Sequence, residues 1–203
     1  MTTRMTNEFA LVLNRAIRTP RLSLEPLVAA HAEILFCSLC DERIYRWIEA
    51  GGPKDLNQLR AKWERNESRL SPDGNEVRLN WAIRLGNEGP YIGTLDACLD
   101  SPVRATNVGF VFFPEYWGYG YATEALLAVK TVLVENGVLF MRATVATQNL
   151  ASARVLEKAG FIPGNLVTDE IDTREFILKM PTESRPAQPS AGGDGLTKAR
   201  ATE

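Results

Sequence analysis

The chain has 203 residues, 45% of them hydrophobic and 24% charged, with a formal net charge of −2. That length suits one ordinary domain with its own core, the composition excludes a disordered or fibrous chain, and the near-neutral charge gives no basic field for a polyanionic nucleic acid. The apolar run Phe9-Ala10-Leu11-Val12-Leu13 stops at Asn14 and Arg15, too short for a signal-peptide core or a membrane span, so a cytoplasmic protein with no membrane partner is expected.

In chain order, residues 1–17 show no strong period and are expected to be flexible or weakly helical. Residues 21–26, R-L-S-L-E-P, alternate apolar and polar side chains up to a proline and read as an edge strand. Two helices follow, over 29–39 and 56–70, with Ile34, Leu35 and Leu39 on one side of the first and Leu56, Leu59, Trp63 and Leu70 along the second. Cys37 and Cys40 form a C-x-x-C, but no second pair completes four metal ligands, so they read as two small core residues one turn apart and no metal is expected. With Cys98 they make an odd set of three, which argues against a disulfide framework. The single histidine, His31, has no visible partner and suits a surface or capping role.

Residues 79–85, 91–99 and 107–113 are strand-like, and the turn signals Gly86-Asn87-Glu88-Gly89-Pro90 and Asp100-Ser101-Pro102 fold them into an antiparallel meander. A helix over 122–136 places Ala125, Leu126, Val129, Val132 and Leu133 on one face and stops at Gly137. A strand at 139–147, a helix at 150–159 ending at Gly160, and one strand or two reaching 174–180 complete the order. The fold class is α+β: a mixed, mainly antiparallel sheet flanked by about four helices, with a late strand–helix–strand crossover. The folded unit is placed at 18–180. Residues 181–203 hold three prolines, three glycines and no aromatic residue, and read as a disordered tail.

The chemistry starts at residues 114–125, P-E-Y-W-G-Y-G-Y-A-T-E-A, which join a strand to a helix. The first turn of a helix holds unpaired N–H groups and a partial positive charge, so an anion fits there. Gly118 and Gly120 can take φ > 0 and bring backbone close to phosphate oxygens, although a G-x-G equally suits a tight turn. No G-x-x-x-x-G-K-[ST] is present, and no third glycine completes a dinucleotide motif. Residues 149–161, N-L-A-S-A-R-V-L-E-K-A-G-F, read on their own as helix punctuation, with Asn149 as N-cap and Gly160 as the left-handed residue after the last turn.

Taken together, G-F-V-F-F-P-E-Y-W-G-Y-G-Y-A-T-E-A at 109–125 and the 149–161 helix resemble the GNAT superfamily of acyl-CoA-dependent N-acetyltransferases, in the branch that includes the ribosomal-protein N-terminal (alanine) acetyltransferases. The likeness covers about residues 21–180 and implies a GNAT-like sheet with two strands splayed at the cofactor site. It implies acetyl-CoA as donor, with its pyrophosphate on the loop Trp117, Gly118, Tyr119, Gly120, Tyr121, Ala122 and Thr123. Val111, Phe112 and Phe113 would lie along the pantetheine arm, where a backbone N–H would polarise the thioester carbonyl. Asn149 would hydrogen-bond the arm and Ser152 would sit near the sulfur.

Departures from the family pattern bear on the chemistry. Trp117 stands where the widest pattern has arginine or glutamine, and Tyr119 replaces a common lysine or arginine, so the loop brings no cationic side chain. Leu156 occupies the place of a tyrosine general acid, which leaves Ser152 as the acid; its local alternative is a helix serine bonded to its own turn. Asn107 stands where the branch places a glutamate. The base is therefore open among Asp96, Asp100 and Glu115, each of which reads equally well as a surface carboxylate.

The segment 41–53 offers Tyr45, Trp47 and Glu49 as an aromatic and acidic acceptor cleft, although the two aromatics equally suit anchors to the core. Three functions follow: an acetyltransferase for a protein or peptide N-terminus, one for a small amine such as an aminoglycoside, polyamine or amino acid, or a CoA-binding regulatory module without catalysis. The expected partner is an amine acceptor, and the chain would act as a monomer or homodimer.

Overall fold

Strict alternation builds the centre of the sheet. In β3 (Val77–Leu85) the odd positions Val77, Leu79, Trp81 and Ile83 are fully buried, and Ala82 is buried as well because helices cover both faces. The computed structural model describes residues 5–48, 50–168 and 172–181. Before β3 come α1 (Asn7–Leu13), β1 (Ile17–Arg18), β2 (Leu22–Pro26), α2 (His31–Leu39), a 3-10 turn (Glu42–Trp47) and α3 (Leu56–Asn66). After it come β4 (Tyr91–Ser101), β5 (Arg104–Phe112), α4 (Tyr121–Glu135), β6 (Phe140–Ala146), α5 (Leu150–Lys158), β7 (Ile162–Val167) and β8 (Thr173–Lys179).

The eight strands form one sheet in the order β1-β2-β3-β4-β5-β6-β8-β7. Every neighbouring pair is antiparallel except β5–β6, which is parallel because α4 carries the chain across. That pair is joined only at Arg104↔Phe140 and Ala105↔Met141; beyond these two positions the strands part, which is the expected splay. Arg142 sits in the crotch, where its Nε donates to the Thr106 carbonyl at 3.0 Å and its Nη1 meets Glu175 at 3.1 Å. It takes up a carbonyl that the broken ladder leaves unpaired.

One core lies between the sheet and α1, α4 and α5, around Leu24, Leu79, Trp81, Leu95, Leu126 and Leu156. A second lies under α2 and α3, around Leu35, Leu59, Trp63, Ala82 and Phe113.

Three expectations need correction. The N-terminal segment is built into the fold from Thr6, whose hydroxyl caps α1 by accepting from the Phe9 N–H at 3.1 Å. Ala10 and Leu13 are fully buried, and the Trp81 indole donates to the Arg15 carbonyl at 2.9 Å. Cys37 and Cys40 are exposed rather than core residues, because the buried side of α2 is the stripe Ala32, Leu35 and Leu39. His31 is buried and partnered: its Nδ1 accepts from the Val28 N–H at 3.0 Å, which leaves Nε2 to donate to the Tyr91 hydroxyl at 3.1 Å. That hydroxyl in turn donates to Glu25 at 2.7 Å. There are also five α-helices among the described residues, one more than expected. Residues 182–203, nearly all of the expected tail, lie outside the described residues.

Candidate active site

The end of β5 is pinned by its two phenylalanines, since Phe112 is buried in the first core and Phe113 in the second. The Phe113 N–H is spent on the Ile92 carbonyl of β4 at 2.9 Å, so its backbone faces that neighbour. Alternation along the strand then turns the backbone groups of Phe110 and Phe112 to the open side of the fork. The Trp117 indole donates to the Phe112 carbonyl at 2.6 Å and ties the following loop to the strand end.

Gly118 and Gly120 hold φ of +84° and +80°, the left-handed region that an L side chain resists. Gly120 is the N-cap of α4 and has no side chain to satisfy the first turn. The Glu124 N–H donates to the Gly120 carbonyl at 3.1 Å, so the N–H groups of Tyr121, Ala122 and Thr123 have no intrahelical acceptor and point at whatever binds there. Tyr119 and Tyr121 stack with ring centroids 5.7 Å apart.

The loop itself brings no cation, but Arg21, immediately before β2, supplies one from another element. Its Nη1 donates to the Tyr119 carbonyl at 2.9 Å, its Nε to Glu124 at 2.6 Å, and its guanidinium lies 4.6 Å over the Tyr121 ring. Burial raises the Glu124 carboxyl, but hydrogen bonds from Thr19 and Arg21 outweigh it and hold the group below the ordinary glutamate range. Arg21 stands 98 positions before the tyrosine it grips, so nothing near the loop advertises it.

Between β5 and β6 the fork opens a cleft of about 920 Å³. Its floor comes from β3, β4 and β5, one wall from β6 and α5, and the other from α3 and the segment before it. Asn149 and Ser152 reach it from α5, Val111 from β5, and Tyr45 and Trp47 from the 3-10 turn; Glu49 lies outside the described residues. Asn149 caps α5 by accepting from the Ser152 N–H at 3.1 Å, which leaves its amide nitrogen without a partner among the described residues. The Ser152 hydroxyl is half-buried and does not form the local bond that was its alternative role. Burial raises the Tyr45 phenol first, with the nearby Cys40 thiol adding to it. Leu156, in the place of a tyrosine acid, is fully buried.

The three candidate carboxylates part company. Asp100 is held by Arg104 on the hairpin and its carboxyl lies below the usual range, the Arg104 hydrogen bond being the main cause. Glu115 is exposed and pairs with Arg43 at 3.1 Å. Asp96 alone lines the cleft. No group of three His, Cys, Asp or Glu that could hold a metal occurs among the described residues, and none of their helices is long and apolar enough to cross a membrane.

Known proteins resemble the chain along this framework. Residues 21–162 match the model of the acetyltransferase (GNAT) domain. The uncharacterized N-acetyltransferase YoaA of Bacillus subtilis (strain 168) is 26% identical over 147 residues, 71% of this chain and 81% of that protein. The GNAT-family acetyltransferase from Bacillus anthracis has a TM-score of 0.67 at 21% identity, over 81% of this chain and 98% of that one. RimL, a ribosomal L7/L12 alpha-N-protein acetyltransferase solved with coenzyme A, gives 0.70 at 15% identity, over 82% and 98%. The Salmonella typhimurium acetyltransferase that modifies the N-terminal serine of L7/L12 gives 0.68 at 15% identity, over 82% and 100%. The solved structures share the fold, and the matched span runs from the arginine that braces the glycine loop to the first residue of β7: the chain belongs to the GNAT family of acetyltransferases.

Proposed function

We propose that the protein transfers an acetyl group from acetyl-CoA to the α-amine of a protein or peptide N-terminus, by direct attack with both substrates bound in the fork. The observation that carries this reading is that Asn149 and Ser152 line the same cleft as Tyr45 and Trp47. At about 920 Å³ it lies at the upper end of ordinary ligand-site volumes, roughly 300–1,000 Å³.

The residues present fit the donor. Two left-handed glycines, three unpaired N–H groups at the start of α4 and the Arg21 cation suit a diphosphate, and the open edge of β5 suits an extended amide arm. Trp117, Gly118, Tyr119, Gly120, Tyr121, Ala122 and Thr123 would hold the pyrophosphate, and Val111, Phe112 and Asn149 the arm, whereas the Phe113 backbone is turned to β4 and away from it. Acetyl-CoA supplies the acetyl group already activated as a thioester. Ser152, which lines the cleft, would return a proton to the sulfur. None of Cys37, Cys40 and Cys98 lines the cleft, which favours direct attack over an acyl-cysteine route.

The protein N-terminus is favoured as acceptor by the structural likeness to RimL, whose acceptor is such an amine. Thiol release from acetyl-CoA should be measured with a panel of free-amine peptides and small amines. Turnover with peptides is expected. Turnover confined to polyamines, aminoglycosides or amino acids would replace the acceptor, and CoA binding without turnover on any amine would make the protein a binding module.

A further inference from the structure

An amine attacks through its lone pair, and the alkylammonium form that dominates at neutral pH has none. A group in the cleft that takes that proton makes the bound amine reactive. Asn107 lines the cleft but its amide cannot serve, and Asp100 and Glu115 are tied to arginines outside it. We propose that Asp96 is the base: its carboxylate receives the proton that the acceptor amine loses. This rests on the transferase reading above.

The surroundings of Asp96 are built for a free carboxylate. On β4 it stands directly opposite Gly109 of β5. A Cβ on residue 109 would lie 3.0 and 3.2 Å from the two Asp96 oxygens, so glycine is what leaves them room. Among the described residues the carboxylate takes no hydrogen bond and forms no ion pair, yet no buried side-chain oxygen is left without a partner, so its oxygens open to the cleft.

The groups that share the cleft with it can be named by element. β3 contributes Asn80, β5 Asn107, and β6 Thr144. From α3 come Lys62 and Arg65, and from the segment before it Lys54 and Asp55, whose carboxylate is occupied as the α3 N-cap by the Gln58 N–H at 2.9 Å. Tyr45 is a neutral phenol, and the Cys98 thiol on the same strand is pushed up first by its own burial and then by Asp96. Burial raises the Asp96 carboxyl above the ordinary aspartate range, and only the Lys62 charge acts the other way. A desolvated carboxylate of raised basicity takes a proton from an ammonium more readily than a hydrated one does.

The step balances without a further reagent. The ammonium gives one proton to the Asp96 carboxylate, and the freed lone pair forms the N–C bond to the acetyl carbon as the C–S bond breaks. The second nitrogen proton goes to the departing thiolate, and Asp96 later releases its own to solvent.

Thiol release from acetyl-CoA should be followed from pH 6 to 10 with an α-amine peptide, for the full chain and for Asp96→Asn. The variant is expected to lose at least tenfold in kcat near pH 7, with CoA affinity by calorimetry unchanged. Its deficit should shrink as rising pH neutralises the amine without help, and Asp96→Glu should recover part of the rate. In the wild-type protein without any donor, a carbon-13 carboxyl signal missing from Asp96→Asn should titrate above the other aspartates. Equal pH profiles in the two proteins, or an ordinary titration of that signal, overturn the assignment and leave the transferase reading standing. Failure of the wild-type chain to bind CoA or to turn over any amine removes both.

Discussion

The proposed donor site is made mainly of backbone, and the proposed acceptor site of side chains. The proposed donor site is one continuous run, from Phe112 through Gly118 and Gly120 into α4, and the groups it would use are N–H donors fixed by φ angles of +84° and +80°. The cleft gathers Tyr45 from the 3-10 turn, Trp63 from α3, Asp96 from β4 and Ser152 from α5, which only the topology brings together. A backbone site must spend local sequence on glycines and a helix start, whereas a side-chain site leaves no local trace.

The contrast breaks most sharply at Gly120. A branched side chain in the left-handed region costs about 1–2 kcal/mol, and the nearest neighbour of its Cβ is Arg21 at 3.7 Å, so strain rather than crowding is the penalty. A free loop can relax that strain and a loop gripping the diphosphate cannot. Gly120→Val should therefore raise the CoA dissociation constant about fivefold to thirtyfold by calorimetry. Unchanged affinity would mean that the loop does not hold the donor.

Among the side chains of the cleft, Ser152→Ala tests a single hydroxyl. Thiols near pKa 8.5 leave well, so loss of the acid should cost about fivefold to tenfold in kcat, well below the usual range for general acids. The KM for acetyl-CoA should stay within about twofold. Unchanged kcat would leave Ser152 as a helix residue only.

How far the sequence could be read follows the same division. The meander, the crossover helix with its stop at Gly137, and the α5 punctuation by Asn149 and Gly160 are local patterns and lie where expected to within a few residues. Strand β7 has no legible pattern, because Pro163 and Gly164 interrupt it and its side chains face solvent. Helix α1 has seven residues, too few to show a period, and is held by contacts such as Trp81 to Arg15, which come from 66 positions away. Asp96, Asp100 and Glu115 are alike as letters; the partner opposite each one distinguishes them. Gly109 signalled nothing by itself, because its purpose is space for a residue on the next strand.

Arg21 is the exception that sharpens the division, a side chain serving the backbone end. Removing it frees the Tyr119 carbonyl and leaves the Glu124 carboxylate uncompensated in the first turn of α4, beside the anion site. Arg21→Ala should weaken CoA about threefold to fivefold, a partly exposed ion pair being worth about 1 kcal/mol or less. The double variant with Glu124→Gln should recover most of it. If the double variant binds no better than Arg21→Ala, the arginine meets the ligand directly instead of screening the glutamate.

The smallest effect is on stability and has an unusual sign. Burial raises the Asp96 carboxyl in the folded chain above its unfolded value. Between those two values the folded state binds more protons than the unfolded one, so stability falls as pH rises through that window. Above it the charge is carried in both states and costs more in the fold; below it both are protonated and the cost is gone. Asp96→Asn should thus melt higher than wild type near pH 7, by about 2–4 °C for each kcal/mol released, and the gap should close as the pH falls toward the ordinary aspartate range. Calorimetric melts of both proteins from pH 4 to 8 decide it. A variant that melts lower throughout would show that the carboxylate supports the fold, whereas the expected gain at neutral pH, combined with lost turnover, marks stability given up for chemistry.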